Sequence, residues 1–96
     1  MKHPLLSPRA ASDIDEIWTY TEARWGEEQA VRYVRQIEAT ILAIASNLDI
    51  GASCDHIRAG YRKYPTGAHV IYYRINRRRI EIVRILHARM DPERHV

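Results

Sequence analysis

Cysteine is nearly absent from this chain. Cys54 is the only one among 96 residues, so no disulfide can form within the chain, and stability must come from burial, as in proteins of a reducing compartment. Long apolar runs are missing too: no stretch of about 18 apolar residues occurs, which excludes a membrane-spanning helix. The opening Met1-Lys2-His3-Pro4-Leu5-Leu6 lacks the apolar run of a secretory leader, and the location expected is the cytoplasm, with no membrane partner. Glycines stand apart at Gly26, Gly51, Gly60 and Gly67 and never form a phosphate-cradling loop. Linkers, repeats and low-complexity segments are absent as well. What remains is a single domain over residues 1–96, large enough to bury roughly 60–65% of the surface its unfolded chain exposes.

Lysine is also scarce. Of fifteen cationic side chains only Lys2 and Lys63 are lysines; the rest are arginines, whose planar fork suits phosphate and carboxylate partners. The net charge of +3 hides an asymmetry: residues 1–50 hold five basic and eight acidic side chains, residues 51–96 ten and four. The carboxyl-terminal half therefore points to an anionic partner, or to a basic face that only maintains solubility.

Ser7-Pro8 reads as a helix start, with the serine oxygen as cap and proline where a missing N–H costs nothing. Ile14, Ile17, Trp18 and Trp25, with Ala10 and Ala11, follow at helical spacing. Asp13, Asp15, Glu16 and Glu22 are expected mostly to face water, and Gly26 to end the helix in a left-handed conformation. Glu27-Glu28 suit the positive end of a second helix, along which Ala30, Val34, Ile37, Ile41, Ile44 and Leu48 form a continuous seam. The two helices should pack as a hairpin. Residues 49–60 read as a surface loop. Strands are expected at 61–64, 68–75 and 80–87, with Asn76-Arg77-Arg78 as the turn between the last two, Asn being tolerant of positive φ. Including an extended segment around Leu5-Leu6, the order is β-α-α-β-β-β: an α+β fold with an amino-terminal helical hairpin packed on a small, mostly antiparallel sheet.

Candidate chemistry is sparse. Cys54-Asp55-His56 has no second ligand pair nearby, so no metal site is expected, and nothing in the sequence would depress the Cys54 thiol. No cofactor is implied. Metal-free RNA cleavage would need a base, an acid and cations over the phosphate. Tyr73, His87, Arg62, Lys63, Arg74 and Arg84 lie on or beside the expected strands, but alternation places Arg74 and Tyr73 on opposite faces and His87 away from Arg84; Tyr73 suits the core. Arg77-Arg78-Arg79 could grip nucleic-acid phosphates or be a solvated hairpin tip. The tail "HARMDPERHV" carries His87, Arg89 and Arg94 as donors, Met90 as an adaptable apolar contact, Asp91, and Pro92, which ends normal strand pairing. It reads as a grip for another macromolecule or as a frayed end.

The segments "LSPRAASDIDEIWTYTEARWG", "IRAGYRKYPTGAHVIYYRI" and "IVRILHARMDPERHV" together resemble the RelE/ParE toxin superfamily, in its ParE-like branch, with the closing Leu86-His87 to Met90-Asp91-Pro92 as the most specific part. The resemblance implies a toxin of a bacterial plasmid-stabilisation type toxin–antitoxin module that inhibits growth by poisoning DNA gyrase, with no catalysis of its own. It also implies a cognate ParD-like antitoxin, with DNA contacted only indirectly through antitoxin or gyrase. On that footing His87, Arg89, Met90, Asp91, Pro92 and Arg94 form a target-binding tail, projecting from the sheet and dispensable for folding, while Arg62, Arg74 and Arg84 meet the antitoxin. The alternatives are a RelE-type ribosome-dependent mRNA ribonuclease or an inactive relative that only binds its antitoxin. Against the ribonuclease, Val70 and Ile71 stand where those relatives carry an arginine, and Arg62-Lys63 replaces alternating lysines.

Overall fold

A computed structural model describes residues 3–96; Met1 and Lys2, the first residues of the opening stretch, lie outside the described residues. The elements run β1 (Leu5–Leu6), α1 (Pro8–Trp25), α2 (Glu27–Ser46), β2 (Ala52–Ser53), β3 (Tyr61–Thr66), β4 (His69–Asn76), β5 (Arg79–His87) and α3 (Pro92–His95). The five strands form one sheet in the order β1-β5-β4-β3-β2. Among the described residues only the β1–β5 pair is parallel; the others are antiparallel.

Ser7 sets the geometry of the whole amino-terminal half. Its Oγ accepts from Ala10 N–H at 3.0 Å and donates to Val83 O at 2.7 Å, so the residue that caps α1 also fastens it to β5. Gly26, at φ 93°, is the only residue between α1 and α2. That conformation is open to glycine at little cost, and it folds the helices back on each other.

The expected seam along α2 is buried at Ala30, Ile37, Ile41 and Ile44, and half-buried at Val34 and Leu48. It meets Ala10 and Ile17 of α1, Ile71 and Tyr73 of β4, and Ile80, Ile82 and Ile85 of β5. Each fully buried isoleucine contributes about 2 kcal/mol of transfer free energy. In β5, pairing jumps from Tyr72↔Arg84 to Tyr73↔Ile82, so Val83 is a bulge. This bulge lets Ile82 and Ile85, three positions apart, both enter the helix-side core.

Several expectations change. Residues 49–60 are not all surface loop: Ala52–Ser53 pair with Arg62 and Lys63 as an edge strand, and Cys54 is fully buried. Cys54, Tyr61, Tyr72 and Leu86 make a second core on the sheet face away from the helices, and burial pushes the Cys54 thiol above its ordinary pKa. Asp13 is buried rather than solvated, whereas Trp25, assigned to the apolar stripe, is exposed. At the β4–β5 turn the positive φ values fall on Arg77 (53°) and Arg78 (64°), with Asn76 paired to Arg79 in the ladder. For residues with a Cβ that conformation costs about 1 kcal/mol each.

The α1–β5 groove and the carboxyl-terminal tail

α1 places Asp13, Ile17, Thr21 and Trp25 at four-residue steps on one stripe, with Glu16 and Tyr20 beside it. That stripe faces the outer edge of β5, because β1 covers β5 only at Glu81 and Ile82. Between them lies a groove of about 530 Å³, whose far wall is made by Ala68, His69, Ile85, His87 and Met90. Tyr20, Trp25 and Met90 are its exposed apolar rim. Arg24 lies over the Tyr20 and Trp25 rings, at 5.7 and 6.0 Å from their centroids.

A buried ion pair closes one end. Asp13 accepts from Arg84 Nη2 at 2.8 Å and from Arg84 Nε and Ile85 N–H at 2.9 Å each. The carboxylate therefore covers a backbone donor that the short β1 leaves unpaired, while binding the guanidinium in a bidentate fork. Asp13 raises the Arg84 pKa further, and the cation is permanent. Arg84 and His87 both lie beyond the bulge and point to opposite faces, as alternation requires; Arg84 reaches the groove that His87 lines because its long side chain wraps the open β5 edge to Asp13.

At the other end Ala68 N–H donates to the Tyr33 hydroxyl oxygen at 2.9 Å, and that hydroxyl lies 2.6 Å from His69 Nδ1. The His87 ring packs edge-on to that of His69, with centroids 5.4 Å apart, and its Nδ1 accepts from Arg89 N–H at 3.1 Å. Burial first, and the facing His87 second, hold His69 below the usual histidine pKa.

The tail divides in two. His87 and Met90 line the groove, and Arg89 is exposed beside them. From Asp91 onward the chain turns over the opposite sheet face. Asp91 caps α3 by accepting from Glu93 N–H at 3.0 Å, Pro92 opens that turn, and Arg94 lies 3.8 Å from Asp91. Arg84 Nη1 donates to His95 O at 3.0 Å, and Val96 packs on the Cys54–Tyr61–Tyr72–Leu86 cluster. The tail expected to project from the sheet is thus docked on it: the ladder ends at His87, Pro92 opens the short α3 further on, and the apolar Val96 lies within reach of the sheet face that α1 and α2 leave uncovered.

Arg62, Arg74 and Arg84 do not share a surface. Arg62 pairs with Tyr73 on the helix-side face, where it donates to Gly51 O at 2.7 Å and lies 3.5 Å from Asp49. Arg74 pairs with Tyr61 on the other face and is held by Glu81. Tyr73 is in the core, donating to Leu48 O at 3.0 Å and accepting from Gly51 N–H at 2.9 Å, and burial raises its pKa. Among the described residues no group of three metal-ligating side chains occurs. Asp13, Tyr33 and His69 were missed as site residues; the one available signal was an acid in line with Ile17 on the α1 stripe.

The profile described as "ParE toxin of type II toxin-antitoxin system, parDE" matches residues 5–92. "Toxin ParE1" of Caulobacter vibrioides (strain ATCC 19089 / CIP 103742 / CB 15) is 47% identical over 96 residues, covering 100% of this chain and 99% of that protein. "Toxin ParE1" of Mycobacterium tuberculosis (strain ATCC 25618 / H37Rv) is 45% identical over 93 residues, 96% of this chain and 95% of that one. A solved structure described as "Chromosomal ParDE TA system from P. aeruginosa" superposes with a TM-score of 0.79 at 22% identity, covering 91% of this chain and 96% of that chain, and so shares the fold. With a family match over residues 5–92 and relatives this similar over nearly every residue, the chain belongs to the ParE toxin family of type II toxin–antitoxin systems.

Proposed function

We propose that this chain acts by occupying a target rather than by cleaving a substrate: it inhibits DNA gyrase and is neutralised by a ParD-like antitoxin seated in the α1–β5 groove. The observation that carries this reading is the state of the three sheet arginines Arg62, Arg74 and Arg84. Metal-free phosphodiester cleavage needs cations free to meet charge developing on the phosphate. Arg84 is forked by Asp13 and Arg74 is held by Glu81 on one face of the sheet, while Arg62 is turned to Gly51 O on the other. The strand tyrosine Tyr73 has its hydroxyl committed inside the core.

The groove supports the antitoxin part of the proposal. Tyr20, Trp25 and Met90 offer apolar contact, Arg24 and Arg89 supply charge nearby, and the β5 edge offers backbone groups. An acidic amphipathic segment fits that combination. His87 and Met90 belong both to the groove and to the tail, so an antitoxin in the groove covers the root of the tail. Arg89 and Arg94 remain the exposed cations with which the tail meets the target.

The test is a gyrase supercoiling assay with the purified chain, run beside a translating extract. Blocked supercoiling or accumulated cleaved DNA is expected, with intact mRNA. Full supercoiling at saturating protein together with codon-positioned mRNA cuts would replace this reading with a ribonuclease.

A further inference from the structure

The β4–β5 turn is built from the wrong residues for its shape. Asn76 and Arg79 are the last ladder pair, so the loop has two residues, and both have positive φ. A two-residue hairpin loop of this kind favours Asn-Gly, because glycine and asparagine enter the left-handed region most easily. Here the positions hold Arg77 and Arg78, both exposed and, among the described residues, without an acid at ion-pair distance. Arg79 adds a third cation beside them and donates to His3 O at 2.9 Å. Arg74, on the same strand as the turn's first flank, is already neutralised by Glu81. The strained turn thus gives up local stability and holds uncompensated positive charge at the extreme end of the sheet.

We propose that this hairpin tip is a sequence-independent docking point for nucleic-acid backbone phosphates. The guanidinium fork matches a phosphate's oxygens. No aromatic or aliphatic side chain stands on the turn itself: Leu5 and Ile75 are on the strands below it. A protein partner would require an apolar centre, whereas a phosphate backbone requires only charge. β5 runs nine residues from Arg79 to His87, about 26 Å at the usual strand rise, so the tip stands well away from the groove. It stays accessible when the groove is filled. This inference is independent of the gyrase reading, and either can fail alone.

The test uses the full chain, a fluorescein-labelled 20-base-pair duplex of mixed sequence, and anisotropy titrations at several salt concentrations. The variant Arg77→Asn/Arg78→Gly removes two charges while supplying the residues the turn prefers, so it is expected to fold at least as stably as the parent. A control, Arg9→Gln/Arg35→Gln, removes two exposed cations from the helices. Binding is expected for the parent and the control. In the turn variant it should weaken at least tenfold at low salt, with the slope of log K against log salt falling by about 1.8, that is, 0.9 for each of two phosphates no longer neutralised. Absence of parental binding, an equal loss in the control, or an unchanged slope in the turn variant would overturn the proposal. Polyglutamate competing as well as DNA at equal charge would also overturn it, in favour of an acidic protein surface.

Discussion

Asp13 and Arg84 offer the sharpest test of how this molecule holds together. Their side chains are only 8% and 14% exposed, and Asp13 receives three hydrogen bonds, two from Arg84 and one from Ile85 N–H. Removing either partner strands a nearly buried charge, which typically costs 3–5 kcal/mol. The residual exposure of Arg84 puts the expected loss near the lower end, about 3 kcal/mol for Asp13→Leu or Arg84→Met alone. In a domain of this size that lowers the melting temperature by roughly 12–24 °C. The double variant leaves no stranded charge, only an unpaired Ile85 N–H and a His95 O without its donor, and should lose about 1–2 kcal/mol instead of the additive 6. Urea melts followed by tryptophan fluorescence, with unchanged m-values, read all three. Single losses below about 1 kcal/mol, or a double variant that is simply additive, would show that the pair behaves as a solvated surface bridge and refute the reasoning.

Other outcomes follow from specific contacts. Gly51→Ala would place a methyl group 2.8 Å from Lys63 O and from Tyr73 Cε1; overpacking of that kind costs about 1–3 kcal/mol, and an unchanged melting temperature would mean the Tyr73 anchor is loose. Truncation after Asp91 removes Val96 from the second core and the His95 acceptor of Arg84; the protein should stay folded but melt lower by about 4–8 °C, corresponding to about 1 kcal/mol, with growth inhibition lost. An unchanged melting temperature would contradict the docked tail. Trp25→Ser should leave stability intact, since the indole is exposed, and weaken antitoxin binding in calorimetry; unaltered affinity would move the antitoxin elsewhere. His69 has a folded pKa below its ordinary 6.5. Its imidazole therefore gains a proton in the unfolded chain first, and its contribution to stability is present above pH 6.5 and fades as pH falls through that value. His87, Asp13 and Tyr33 face the same ring. Stability measured from pH 5 to 7 should rise with pH in the parent and more shallowly in His69→Gln; identical slopes would exclude His69 as the cause.

The docked tail shares its anchor with the rest of the fold. Arg84 holds Asp13 of α1 with one side of its guanidinium and His95 O with Nη1. The helical hairpin, the sheet edge and the carboxyl terminus therefore share one cation. A change at that cation acts on all three, and mutational effects on toxicity at Arg84 should be compared with its melting temperature before any contact role is assigned.

Local rules, read along the sequence alone, determined much of the fold. Ser7-Pro8 announces the start of α1, Gly26 its end, and the isoleucine seam of α2 its buried face, because capping, backbone sterics and helical periodicity act within a few residues. The three long strands and the family membership were legible for the same reason: side-chain patterning and extended motifs are properties of the linear chain. Only the tertiary structure decided which charges are free. Asp13 and Arg84 are 71 positions apart, and Asp13 looks like its solvated neighbours Asp15 and Glu16 until β1 stops short and leaves Ile85 N–H facing α1. Pairing Ala52–Ser53 with β3 required β3 to exist first, so a two-residue strand carried no signal of its own. The path of the tail depended on an uncovered apolar face that forms only when Cys54, Tyr61, Tyr72 and Leu86 meet. Long-range pairing and burial are set by distance in space, which a single sequence encodes only jointly, and that is why the groove had to be seen to be known.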